Sequence, residues 1–193
     1  MTDRAAALWL DVLGGLVAAV SHEVNNSLNG IAVNLAVVTS RLAGPSTGGD
    51  LVSRTAPFAE KATAQFELAN ELIQSVVALV RPAAADPRKI VGPLAVVAGA
   101  AVARHGKTVS VVTDEPVLPA DGQVVRLAIG AALLTAVRES ASCSVTWIGR
   151  DVQVVRTEPC AGAAMVPTAV AEVVRAAGLD LRESGDTVTF TFL

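Results

Sequence analysis

Ser21-His22-Glu23-Val24-Asn25-Asn26-Ser27-Leu28-Asn29-Gly30-Ile31 lies in the middle of a stretch, Arg4 to Ala43, that contains no proline. Asp3 can cap its start, and Gly44-Pro45-Ser46-Thr47-Gly48-Gly49 breaks it at the end, so one long helix is predicted. Within it Leu13, Val17, Val20, Val24, Leu28, Ile31, Leu35, Val38 and Leu42 recur at steps of three and four, the spacing of a helix that buries one stripe in a bundle. The paired steps of four from Val20 to Val24 to Leu28 form a local stutter beside His22, where coiled-coil winding must relax. His22 stands two residues from Val20 and Val24, about 200° around an ideal helix, and is expected opposite the seam, in solvent. Gly15, Ala18, Ala19, Asn25, Asn26 and Asn29, three, four or seven residues away, are small or amide-bearing, which leaves room for a partner to approach the imidazole. A lone helical histidine is ordinarily just a surface residue; the polar cluster around it on a bare face singles this one out.

Outward from that helix, a second helical pattern runs from about Asp50 to Arg81, with Phe58, Ala62, Phe66, Ala69, Leu72 or Ile73, Val76 and Val80 on one side. Pro57 either kinks it or marks a later start. Two antiparallel helices joined by a short loop expose an apolar stripe that they cannot cover alone, so a homodimer forming a four-helix bundle is expected. Arg81 to Lys89, reading RPAAADPRK, is a proline-containing linker. The predicted organisation is a helical hairpin over 1–81, a linker over 82–89 and a second domain over 90–193. In that domain Ile90 to His105, Gly122 to Arg138 and Pro167 to Ala177 read as helices, and Thr108 to Thr113 as a strand. Ser142 to Ile148 and Val152 to Thr157 form a hairpin across Gly149-Arg150-Asp151, and Asp180 to Glu183 with Thr187 to Leu193 close the sheet. This order predicts helices on one face of a largely antiparallel sheet.

Hydrophobic residues make up 52% of the 193 and charged residues 17%, which excludes disorder. The excess is Ala, Val and Leu, which suits helices packed through small residues. A net charge of -3 with no cluster of Lys and Arg in the sequence argues against nucleic acid and against a membrane surface. Asp11, His22, Glu23, Asn25 and Asn26 interrupt the apolar runs, so no span of the ~20 residues needed to cross a membrane is expected. The start Met1-Thr2-Asp3-Arg4 lacks a basic leader, and a cytoplasmic protein is expected. Cys143 and Cys160 have neither CxxC spacing nor ligand partners and are read as buried, reduced thiols. His105 is read as a helix-end residue, Trp147 as core, and Asp114-Glu115 and Arg182-Glu183 as solvated charges.

The stretch from Ser21 to Ile31 resembles the H-box of the sensor histidine kinase dimerisation and phosphotransfer domain, commonly S-H-E-x-x-N-P-L-x-x-I. The resemblance covers about the first eighty residues and includes both helices and the linker. It implies that His22 is the phosphoacceptor, Glu23 its acid/base neighbour, and Asn26 an amide able to orient a water that dephosphorylates a partner. Ser27 stands where the family usually has proline, which predicts a weaker local kink.

The second domain resembles the ATP-binding domain of the same kinases in its element order and in Val170 to Phe192. The residues that hold nucleotide are missing. Where the family places metal-binding asparagines, Val125 to Val137 reads VRLAIGAALLTAV, with Ala131 and Thr135 at the expected spacing. Where the family has D-x-G-x-G, the chain reads Thr157-Glu158-Pro159-Cys160-Ala161-Gly162-Ala163, and the glycine-rich lid that should follow is absent. No GxxxxGK[ST] loop replaces them, so neither ATP nor any other cofactor is expected.

The expected architecture is α plus α/β: a long antiparallel helical hairpin dimerising into a four-helix bundle, followed by a degenerate kinase ATPase-like α/β sandwich. The resemblance then implies a histidine phosphotransferase that passes phosphoryl groups between response-regulator receiver domains through His22, with magnesium supplied by the receiver. A hybrid histidine kinase is a further candidate partner. The alternative is a pseudokinase binding module that regulates a kinase or receiver without phosphotransfer.

Overall fold

The computed structural model describes residues 3–44, 48–83, 86–116, 121–157 and 164–192, with 48–50 and 192 described through their backbone only. Five helices and a five-stranded mixed sheet make up the described residues, an α+β fold. The helices are α1 (Asp3–Leu42), α2 (Gly48–Val80), α3 (Pro87–Ala103), α4 (Gly122–Arg138) and α5 (Thr168–Ala176). The strands are β1 (Val109–Asp114), β2 (Cys143–Ile148), β3 (Asp151–Arg156), β4 (Leu179–Ser184) and β5 (Thr187–Phe192). Pro57 lies inside α2 without ending it.

The chain divides into two compact units, Met1–Val20 with Ser75–Leu193, and Ser21–Gln74. The proline-rich stretch at 82–89, expected as a linker between domains, lies inside the first unit. That unit is built around α4. Twelve of its seventeen residues are buried, as expected for a helix that is apolar all round. Asp121 caps it by accepting from the amide of Gln123 at 3.0 Å. Gly130 lets the start of α1 approach: a Cβ there would sit 3.0 Å from Trp9 Cζ3 and 3.2 Å from Val12 Cγ1. One turn on, a Cβ at Gly15 would sit 2.7 Å from Leu134.

The sheet order is β1-β2-β3-β5-β4, parallel between β1 and β2, which α4 links, and antiparallel elsewhere. Strict alternation leaves one face buried: Cys143, Val145 and Trp147 from β2, Val152, Val154 and Arg156 from β3, Leu179 and Leu181 from β4, and Val188 and Phe190 from β5. Gly149 and Gly185, with φ +55° and +57°, open the two-residue turns of the β2–β3 and β4–β5 hairpins, where positive φ suits the strand twist. The buried Arg156 guanidinium is paired with Glu139 and, at 3.2 Å, with Asp186. Trp147 is fully buried and donates its indole N–H to Gly149 O. Burial pushes the Cys143 thiol up to about 11, which keeps it protonated; Cys160 lies outside the described residues.

Glu183 is exposed and also accepts from the amide of Val166 at 2.8 Å. One expectation needs correction. The first helix does contain an 18-residue window long and apolar enough to cross a membrane by length and composition alone. Asp11, His22 and Glu23 do not break every such run, because the remaining residues are so rich in Ala, Val and Leu. A core helix of a soluble protein passes the same test, and a third of this window (33%) is buried within the fold.

Candidate functional site

The candidate phosphoacceptor lies in the unit Ser21–Gln74. Here α1 and α2 run in opposite directions, since Asn34 meets Gln65 while Arg41, farther along α1, meets the earlier Arg54 and Phe58. Arg41 donates to Arg54 O and stacks its guanidinium 4.3 Å from the centre of the Phe58 ring.

Inward-facing positions of α1 in this unit are Ser27, only 4% exposed, with Val24, Ile31 and Asn34 half-buried. His22, Asn25, Asn26 and Asn29 are all exposed. Their offsets of three, four and seven residues place them on one helical face, so an approaching surface meets an imidazole bordered by three amides. Glu23 is half-buried on the flank of that face. Of the three residues singled out from the sequence, His22 and Asn26 therefore share the open face, and Glu23 stands beside it.

Part of the predicted seam is open in the single chain. Leu28 and Leu35 are 49% and 51% exposed, while Ser27 takes the inward position beside Leu28. On α2, Ala62, Ala69 and Leu72 are buried as expected, but Phe66 and Ile73 are 61% and 46% exposed. Residues that recur every seventh position, Leu28, Leu35 and Leu42 on α1 and Phe66 and Ile73 on α2, thus present apolar rows at the surface.

One contact was not anticipated. The Asn34 amide donates to Gly30 O at 2.8 Å and to Gln65 Oε1 at 3.0 Å, and the Gln65 side chain lies over Gly30 so closely that a Cβ there would collide with it. A glycine in mid-helix, at a cost of about 1 kcal/mol against alanine, was the available signal for such a close approach. The cluster holds α2 against α1 two turns beyond His22.

In the other unit, the positions where asparagines would hold a metal-bound nucleotide carry Ala131, which is buried, and Thr135, whose hydroxyl donates to Ala131 O at 3.1 Å. Residues 158–163, where the sequence lacks the D-x-G-x-G pattern, lie outside the described residues. Among the described residues, no three His, Cys, Asp or Glu side chains converge as a metal site would require. His105 is exposed just past the end of α3 and accepts from Arg104 Nε at 3.0 Å.

No family model matches the chain, and no curated protein matches it. Among solved structures the chain is similar to the histidine kinase AdeS of Acinetobacter baumannii, at 13% identity and a TM-score of 0.40, over 88% of this chain and 95% of that one. It is also similar to a bacterial phosphotransferase, at 15% identity and a TM-score of 0.38, over 94% of this chain and 95% of the other. Both scores are below 0.5, so what the site can do is read from its own residues.

Proposed function

We propose that the chain is a histidine phosphotransferase of a bacterial phosphorelay, cytoplasmic and independent of ATP, which carries a phosphoryl group on His22 between receiver-domain aspartates. The observation that supports this most is the open face of α1, where His22 is exposed with Asn25, Asn26 and Asn29 at helical spacing. A receiver phosphorylated on aspartate docks on that face. A neutral imidazole nitrogen of His22 attacks phosphorus in line, the N–P bond forms as the P–O bond breaks, and the aspartate leaves as carboxylate. The receiver supplies the magnesium. Glu23 holds the other ring nitrogen and steadies the imidazolium that develops. Transfer to a second receiver reverses these steps, and Asn26 governs any loss of the phosphoryl group to water.

The exposed rows Leu28, Leu35, Leu42 and Phe66, Ile73 support a second part of the reading: an antiparallel hairpin of α1 and α2 that pairs with its copy in a four-helix bundle. Light scattering at micromolar concentration is expected to return a dimer, and a monomer would exclude the bundle. The function is tested by incubating the protein with a panel of phosphorylated receiver domains and following label onto the chain. Label on His22 is expected from at least one receiver; receivers that bind and never transfer would make this a docking module.

A further inference from the structure

In the unit Met1–Val20 with Ser75–Leu193, a cavity of about 420 Å³ lies between the end of α2, the start of α3 and α4. Its wall carries four cations, Arg81, Arg88, Lys89 and Arg126, beside Leu79 and Ile90, and no carboxylate. Arg126 is the unusual member. It is 4% exposed, its guanidinium lies 4.3 Å from the centre of the Trp9 ring, and it donates to Arg81 O and to Gln123 Oε1. Its Nε is buried with no hydrogen-bond partner, and no acid among the described residues pairs with it. Burial pushes its pKa down to about 10, yet it remains charged at neutral pH.

An unpaired buried cation is costly, and three more cations around the same cavity raise that cost by mutual repulsion. The other buried arginine of this unit, Arg156, is matched by Glu139 and Asp186. Asp86 is spent capping α3, where it accepts from the amides of Arg88 and Lys89 at 3.0 Å. Those amides are occupied, so recognition at this cavity falls to the side chains. We propose that this cavity binds a small phosphate-bearing molecule, its oxyanion held between Arg126, Arg81, Arg88 and Lys89 and its remaining atoms against Leu79 and Ile90. Arginine forks suit phosphate oxygens, and the volume is that of a small-ligand site.

The cavity is built from a different unit than the one that carries His22, and the proposal is independent of the transfer reading. The test is calorimetry on the full chain without magnesium, titrating inorganic phosphate, pyrophosphate and ribose 5-phosphate against chloride at matched ionic strength. Phosphate compounds are expected to bind where chloride does not; tightest binding by pyrophosphate or phosphate marks a free ion as the ligand, and tightest binding by the sugar phosphate marks an organic one. The double variant Arg88→Glu, Lys89→Glu alters exposed side chains and should weaken binding at least tenfold. Arg126→Met keeps the volume, removes the buried charge and should abolish binding without lowering the melting temperature. His22→Ala should bind as wild type does. Binding no stronger than that of chloride, or undiminished in the double variant, would overturn the proposal.

Discussion

The two units of this chain use the same residue types to opposite ends. Around α4, apolar side chains are consumed: Leu127, Ile129 and Leu133 are fully buried, and Gly15 and Gly130 are small because α1 and α4 approach closely there. Between Ser21 and Gln74, leucines and a phenylalanine lie at the surface while Ser27 and Asn34 turn inward. A saturated core specifies one fold, whereas an open apolar row with a bare polar face is the surface that the proposed second copy and receiver would cover. Composition alone, nearly uniform in Ala, Val and Leu, does not distinguish a residue that holds the chain together from one that stays at the surface.

Substitutions in the two units should therefore differ in cost. Leu133→Ala should have the largest effect, costing about 3 kcal/mol in urea unfolding, because the fully buried side chain leaves a cavity among rigid neighbours. A loss below about 1 kcal/mol would mean that the core around α4 is not saturated. Gly130→Val should cost about 1–2 kcal/mol, since its branches have nowhere to go between Trp9 and Val12, and any gain in helix propensity offsets this only in part. Gln65→Ala removes the acceptor of the Asn34 amide and should cost about 0.5–1 kcal/mol, read as a shift in the unfolding midpoint. His22→Ala should change stability by less than about 0.5 kcal/mol, as substitutions on an exposed face ordinarily do.

Much of the fold was legible because punctuation and periodicity agree. Asp121 before Gly122 and the apolar run to Arg138 define α4 as predicted, and Gly149 and Gly185 mark both hairpins. The stripe buried in α1 was harder. Ala5, Trp9, Val12, Leu16 and Val20 form the inward row of its first half; the predicted stripe shares Val20 with it, Leu13 is buried beside it, and Val17 is half-buried. In a helix so dense in apolar residues, two neighbouring rows fit a period of three and four equally well, and only the helix packed opposite decides between them. The exposed position of His22 was legible because 200° of rotation from Val20 carries it outward on either row. The cationic cavity was not. Arg81, Arg88 and Lys89 straddle a proline-rich stretch and Arg126 lies some forty residues on, so no basic cluster exists until the chain folds. The available clue was a single arginine within the apolar run VRLAIG.

Whether the exposed imidazole of His22 carries a phosphoryl group is decided by one transfer experiment. Wild-type protein and the folded His22→Ala variant are each mixed with the same phosphorylated receiver, and label on the chain is followed with time. Label should accumulate on the wild type as acid-labile, base-stable phosphohistidine and should be absent from the variant, because the delocalised amide nitrogens of Asn25, Asn26 and Asn29 cannot replace an imidazole nitrogen as nucleophile. Equal labelling of both proteins would mean that His22 is not the phosphoacceptor.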